Sequence, residues 1–220
     1  MEASLDTNVI IHLYMANLQS VLFNRFEKLR VYEFIRNHEM KNHAKPEIID
    51  LFDKDVEAGR IEIITNEFLR SIGMYQVFLR HVKDFRILFE GGDLGEVYAI
   101  AMAKTLGCIC IITDDIKERG PHYTLMRIPD SEVIPFAFFE VLLLDYLERK
   151  ITEKDLMDSY NCICELSGLT WNFQSKLKGF IRRFWSDPYT KSEKSWMNGF
   201  CKEKGINAKE RMQELLNYIR

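Results

Sequence analysis

The sequence predicts an α/β protein, with a parallel sheet covered by helices on both faces and a helical carboxyl-terminal extension. Short β-prone runs alternate with segments of helical period over about the first 130 residues, which is the order that parallel strands joined by crossover helices produce. Beyond Pro129 one helical segment follows another. Apolar residues make up 47% of the 220, enough to bury a sizeable core. The expected division is an α/β domain over residues 1–130 and an extension over 131–220.

Glu2 to Leu5 reads as a short buried strand ending at Asp6, with Thr7 or Asn8 capping the helix that carries Val9, Ile10, Leu13 and Leu18. Val31 to Ile35 is β-prone. A polar stretch, Arg36 to Lys45, leads to a helix through Ile48, Leu51, Phe52 and Val56, which Gly59 ends. Ile61 to Thr65 is the next strand, and Asn66 caps a helix holding Phe68, Leu69, Ile72 and Val77. Gly91-Gly92 breaks the chain. Asp93 then starts a helix with Leu94, Val97, Ala101 and Leu106 on its apolar face, stopped by Gly107. Cys108 to Ile112 forms a strand running into Thr113-Asp114-Asp115, and Tyr123 to Ile128 is a further short strand. The extension reads as helices over 131–150, 152–166, 171–185, 192–204 and 207–220. Thr152 with Asp155, and Asn207 with Glu210, supply N-terminal caps. The first of these helices is apolar almost all round, so it packs into the α/β body or into a subunit interface, the latter making a homodimer.

Several classes are excluded. The odd number of cysteines, five, and their C-x-C spacing suit neither a disulfide framework nor a zinc knuckle; Cys108 and Cys110 read as buried thiols. Glu2 and Asp6 stand where a secretory leader would be cationic, so a reducing cytoplasmic location is expected. The most apolar stretch, Val133 to Leu147, is short and carries Pro135, Glu140 and Asp145, so no membrane span is expected. Residues 172–220 hold eleven Lys/Arg against five Asp/Glu, a local +6 in a chain of net charge −3. An acidic body with a basic tail suits a protein that gathers carboxylates at one place and meets a polyanion at another. Lys178, Arg182 and Arg183 are the candidate phosphate contacts in that tail.

Acidic residues stand where strands end or helices begin. Asp6 follows the first strand, Glu96 lies in the first turn of the Asp93 helix, and Asp114 and Asp115 follow the Cys108 strand. Parallel connections bring such positions to one edge of the sheet. Glu39, before the helix that follows the second strand, is a fourth candidate, with Glu33 as its fallback. Carboxylates gathered in one cleft repel each other unless a cation sits among them, and oxygen-only ligation suits Mg2+ or Mn2+. Each acid also has a plainer reading: Asp93 to Glu96 fits a capping box, and Asp114-Asp115 fits a turn. Asn8 and Thr113, beside the acids, are candidate substrate contacts. His38 and His43 flank Glu39, and the remaining histidines are scattered.

Leu5-Asp6-Thr7-Asn8-Val9-Ile10-Ile11 resembles the opening motif of PIN-domain proteins. Gly95-Glu96-Val97-Tyr98-Ala99-Ile100-Ala101-Met102-Ala103 is similar to the later acidic helix of that family, and Ile112-Thr113-Asp114-Asp115 to its Thr-x-Asp strand end. The three occur in the family's order over about residues 1–130. The resemblance implies a three-layer α/β/α PIN-like fold and a divalent-metal-dependent ribonuclease acting on RNA. It implies a catalytic acidic quartet of Asp6, Glu39, Glu96 and Asp115, with Asp114 as the alternative to its neighbour. The family includes toxins of toxin–antitoxin pairs, whose partner is a protein antitoxin; the length and the helical extension here depart from the small toxins and look more like longer bacterial PIN proteins.

Two other readings compete with it. An aspartyl-phosphate phosphatase would need an acid where Asn8 stands, and Gly91-Gly92-Asp93-Leu94-Gly95 has no Gly-Lys-Ser/Thr ending, so it is no phosphate-binding loop of nucleotide hydrolases. A catalytically inactive PIN-like module binding RNA or protein is the non-enzymatic alternative.

Overall fold

A computed structural model describes residues 1–89, 93–128 and 131–219; the expected break at Gly91-Gly92, the change of pattern at Pro129 and the terminal Arg220 lie outside them. Along the chain come β1 (Glu2–Leu5), α1 (Thr7–Met15), α2 (Ser20–Phe23) and β2 (Lys28–Tyr32), then a π-helical turn (Ile35–Glu39) running into α3 (Met40–His43). Next come α4 (Pro46–Glu57), β3 (Ile61–Ile64), α5 (Asn66–Ser71), α6 (Tyr75–Leu88), α7 (Leu94–Leu106), β4 (Cys110–Ile112) and α8 (Pro121–Leu125). The chain continues through β5 (Ile134–Phe136), α9 (Phe138–Leu147), α10 (Glu153–Leu166), α11 (Phe173–Ile181), a second π-helical turn (Arg182–Ser186), α12 (Lys191–Glu203) and α13 (Ala208–Tyr218).

The five strands form one sheet in the order β3-β2-β1-β4-β5, and every pair is parallel. Because strand side chains alternate, each face has its own partners. Ala3, Leu5, Leu29, Val31 and Ile61 join a core with Val9, Ile10 and Leu13 of α1 and Phe52 of α4. Tyr32 and Ile64 pack instead with Phe78 and Val82 of α6 and Val97, Ala101 and Met102 of α7. The close seat of α7 on β1 is fixed by the Ser4 hydroxyl, which donates to the Ala99 carbonyl at 2.9 Å. Helices therefore flank both faces, an arrangement compatible with three α/β/α layers.

Two elements differ from the expectation. The segment expected as a strand, Tyr123 to Ile128, begins instead with helix α8: Gly120 takes the extended cap position and Pro121 the first helical one, where a missing N–H costs nothing. The helix expected from Ser131 begins with β5 instead. This is the sheet's edge strand, and Pro135 sits where it donates nothing: Ile134 N bonds Ile109 O at 2.9 Å, and Thr113 N bonds Phe136 O at 2.9 Å. The sheet thus draws its last strand from beyond residue 130. The second strand also starts earlier than read, at Lys28, and the polar stretch after it is helical rather than open.

The carboxyl-terminal helices share the main core. All of α9 is buried within the chain, so its apolar circumference needs no subunit interface, and Leu156, Tyr160, Leu177, Phe184, Met197 and Leu215 belong to the same cluster. Buried ion pairs tie these helices down. Arg25 pairs with Asp145 and with Glu148. Arg183, expected to meet RNA, is only 2% exposed and donates to Glu140 at 2.9 Å and to Glu193 at 2.9 Å. His122 completes this group, 2.6 Å from Glu140. No helix among the described residues is long and apolar enough to cross a membrane. The described cysteines are all free thiols, with Cys108 and Cys110 buried as expected.

Burial alone would raise the Glu140 carboxyl, but Arg183 and His122 outweigh it and hold it at about 2. Its folded pKa lies below its unfolded value, so its contribution to stability is present above about pH 4.5 and is lost as pH falls toward about 2. Arg183→Ala leaves Glu140 and Glu193 buried without their cation and should cost roughly 3–5 kcal/mol in urea unfolding. Arg182→Ala, which removes only an exposed pair with Asp187, should leave the unfolding midpoint unchanged.

Candidate active site

In a parallel sheet every strand ends on the same edge, and where the order reverses, the two adjacent connections leave in opposite directions and open a crevice. Here the reversal falls between β1 and β4. Asp6 follows β1 directly, and Thr113, Asp114 and Asp115 follow β4. Asp6 N bonds Ile112 O at 3.0 Å, so the strands are still paired where the acids begin.

Asp6 occupies the N-cap position of α1 without using its side chain as a cap. Its carboxylate accepts the Thr113 hydroxyl at 2.9 Å, and the same hydroxyl accepts the Asp115 amide at 3.2 Å. One fully buried threonine hydroxyl thus links the Asp6 carboxylate to the Asp115 backbone; Thr113, expected as a substrate contact, is fully buried with its hydroxyl engaged in these two bonds. Asp93 caps α7 by accepting Gly95 N at 2.7 Å. That leaves the first-turn Glu96 to turn inward, where its carboxyl is hydrogen-bonded to Asp115 and lies in the field of Asp6 and Asp93.

The cost of this gathering appears in proton affinity. Asp6 is 2% exposed; burial, with smaller contributions from Asp93 and Asp115, pushes its carboxyl up to about 7 despite the Thr113 and Thr7 hydrogen bonds. Burial first, then the shared hydrogen bond with Asp115 and the charge of Asp6, hold Glu96 far above the usual carboxylate range. Glu39 is raised for the same reasons, burial and Asp93, partly offset by His43 and His38.

Glu39 rather than Glu33 reaches this group. A β-carbon built on Gly95 would stand 3.0 Å from Glu39 Cγ and 3.2 Å from its carboxyl carbon, so α7 presents a bare backbone where the acid lies. Glu33 instead accepts the Asn66 amide at 2.9 Å, at the start of α5, whose cap is Thr65 rather than Asn66. Of the adjacent aspartates, Asp115 joins the cluster. Asp114, read as a metal ligand, is turned away: it accepts His12 at 2.7 Å and the Phe138 amide at 2.9 Å, anchoring the start of α9. Its geometry is that of a structural anchor.

The loop after Asp115 closes on it. Lys117 N lies 3.3 Å from Asp115 Oδ1, and the Lys117 ammonium is 2.6 Å from Oδ2. Arg119 adopts a left-handed conformation (φ 69°), and a β-carbon on Gly120 would lie 2.5 Å from Asp115 Oδ1. Only glycine permits that approach.

Asp93 and Lys117 were missed as site residues by sequence reading, the first because its capping role explained it, the second because a lone exposed lysine carries no signal. Asn8 is exposed in the first turn of α1 beside Asp6. The tail is placed less favourably: α11 turns Lys176, Gly179 and Phe180 toward Ile116 of the site loop, which puts Lys178 on the helix's far side. Arg182 is paired with Asp187. Of the basic residues expected to guide RNA, Arg183 is buried in ion pairs and Arg182 is paired at the surface, while the neighbouring Lys176 faces the site loop.

Compared with protein-family models, with curated proteins and with solved structures, the chain matches none.

Among the described residues no three His, Cys, Asp or Glu side chains form a ready-made metal-binding group. The donor set is nonetheless all carboxylate and shielded from water, and the Lys117 ammonium on Asp115 already stands in for a cation at its edge. Donors of this type fit a hard divalent ion.

Because Asp6 ionises near pH 4 unfolded and at about 7 when folded, the folded state holds the extra proton, and stability falls as pH rises between those values. In chelator, Asp6→Asn should therefore melt higher than the parent at about pH 8 and no higher near pH 4, as read by thermal denaturation at both pH values.

Proposed function

We propose that this chain is a divalent-metal-dependent ribonuclease of PIN-like type, hydrolysing RNA phosphodiester bonds at the crevice between β1 and β4. The observation that carries the reading is the gathering of Asp6, Glu96 and Asp115, with Glu39 and Asp93 beside them, at the carboxyl edge of a parallel sheet where its order reverses. The three sequence motifs that resemble the PIN family supply three of these acids.

Asp6, Glu96 and Asp115 would hold Mg2+ or Mn2+, with Glu39 next to them. When bound, such an ion polarises a phosphodiester and lowers the pKa of a coordinated water. The chain's own contribution is to place the acids and exclude bulk water. Thr113 fixes Asp6 and Asp115 relative to each other, Gly95 and Gly120 allow close approach, and the α7 cap frees Glu96. Lys117 balances Asp115 and is long enough to trade that carboxylate for a substrate phosphate. Asn8, exposed in the first turn of α1, offers a side-chain donor to phosphate oxygens beside Asp6.

A non-catalytic RNA- or protein-binding module of the same shape is the second reading, and one observation favours it: the Lys117 ammonium already neutralises Asp115. Incubation of labelled single-stranded RNA with Mn2+, Mg2+ or chelator separates the two. Metal-dependent cleavage is expected, reduced on the order of 100-fold or more by Asp6→Asn or Glu96→Gln with the fold intact. Replacing Asp114, Lys178 or Arg182 should have far smaller effects on turnover. Cleavage untouched by both acid variants, or none with any metal, would sink the assignment.

A further inference from the structure

Beside the acids, at the carboxyl ends of β2 and β3, lies a separate cavity of about 310 Å3, near the lower end of the roughly 300–1,000 Å3 typical of small-ligand sites. The segment after β2 borders both places: Glu33 and Phe34 line the cavity, and Glu39, five residues after Phe34, lies against Gly95. From α7, Glu96 faces the acids while Tyr98 faces the cavity.

Its lining is mostly polar, with the rings of Phe34, His38 and Tyr98 set among fixed polar groups. The Phe34 and Tyr98 rings meet edge-on with centroids 5.1 Å apart, and His38 stacks on Phe34 at 4.7 Å. Glu33 accepts the Asn66 amide through Oε1, which orients the carboxylate and leaves Oε2 as an acceptor. The Tyr32 hydroxyl donates to Asn66 Oδ1 at 2.9 Å, which leaves Asn66 Nδ2 as a donor. A carboxylate acceptor and an amide N–H donor set side by side near aromatic rings are the groups that read the edge of an unstacked base.

We propose that this cavity binds a guanine base of the RNA, so that the cut is made beside a guanosine. The proposal rests on the ribonuclease reading for its place in the reaction, but the base pocket itself is defined by its own residues. Guanine presents two adjacent N–H groups, N1–H and N2–H, to a carboxylate, and O6 next to them to an amide donor. Uracil offers one N–H between two carbonyl oxygens, which a carboxylate repels; cytosine and adenine offer an amino group beside an unprotonated ring nitrogen. Glu33 therefore selects guanine by the number of donors it satisfies, and Asn66 Nδ2 adds the O6 contact, with the Phe34–His38 pair and Tyr98 bordering the base.

The test is equilibrium binding in chelator, with no turnover required. The probes are the four nucleoside monophosphates and short single-stranded RNAs with or without one guanosine. GMP and the guanosine-containing RNA are expected to bind about tenfold or more tighter than their counterparts. Glu33→Gln keeps the bond to the Asn66 amide but puts an N–H where the acceptor was, and should abolish the preference. Asn66→Asp, which keeps the Tyr32 contact, should weaken GMP by facing O6 with an oxygen. Equal affinity for all four bases, or a preference unchanged in both variants, would overturn the pocket. GMP bound while guanosine-containing RNA is not would assign the cavity to a free nucleotide and overturn its substrate role. Guanine selectivity without metal-dependent cleavage would leave the pocket standing and remove the nuclease reading; cleavage without selectivity would do the reverse.

Discussion

Carboxylates that must lie close together and out of water, with the Lys117 ammonium on Asp115 as the cation at their edge, shape the centre of this molecule. Burying such a group costs free energy unless it is protonated, hydrogen-bonded or paired. Asp6 and Glu96 take the first course, their proton affinities driven upward by burial and by one another. The Asp115 carboxylate takes the others, accepting the Lys117 amide and pairing with the Lys117 ammonium. The surrounding architecture follows. The β1–β4 junction must stay paired up to Ile112, α7 must begin with a cap that leaves Glu96 free, residue 120 must lack a β-carbon, and at residue 95 a β-carbon would press on Glu39.

The carboxyl-terminal helices meet the opposite demand. Their acids are paired with cations: Glu140 and Glu193 with Arg183 and His122, Asp145 and Glu148 with Arg25 and Lys150, and the half-buried Glu153 with Arg211. Glu140 is held far below the usual range where Asp6 is held above it, though both are fully buried. The difference lies entirely in the partner. Matched acids fix the packing of helices; unmatched ones retain a demand for an external cation, which is why the proposed chemistry is placed at the second kind.

Asp114 joins the two regions. It follows β4 beside Asp115, yet its carboxylate accepts the first amide of α9 and the ring of His12 from α1. The same tetrapeptide that supplies an acid to the crevice thereby anchors the helix on which the carboxyl-terminal core is built. A change at either aspartate would act through a different route, one through the charge of the crevice and the other through the seating of α9.

Much of this was legible without a structure. Alternating periods determined the parallel α/β class, the strands at Glu2–Leu5 and Ile61–Ile64, the caps at Asp93 and Thr152, and the position of Asp6, Glu96 and Asp115 at element ends, because each of these is set by residues a few positions apart. What only the tertiary structure decided are the outcomes of competition between distant partners. Asp114 and Asp115 are the same residue type one position apart, and the free amide of Phe138 and the ring of His12 determined which turned away. Glu39 reached the crevice and Glu33 did not, because the Asn66 amide from another strand's end held Glu33. Arg183 read as a phosphate contact until Glu140 and Glu193 enclosed it, and Pro135 fell within an expected helix until the sheet placed it on an edge where its missing N–H was not needed. Periodicity reports what a segment buries on its own; it carries no record of which remote donor, cation or strand edge will meet a particular side chain.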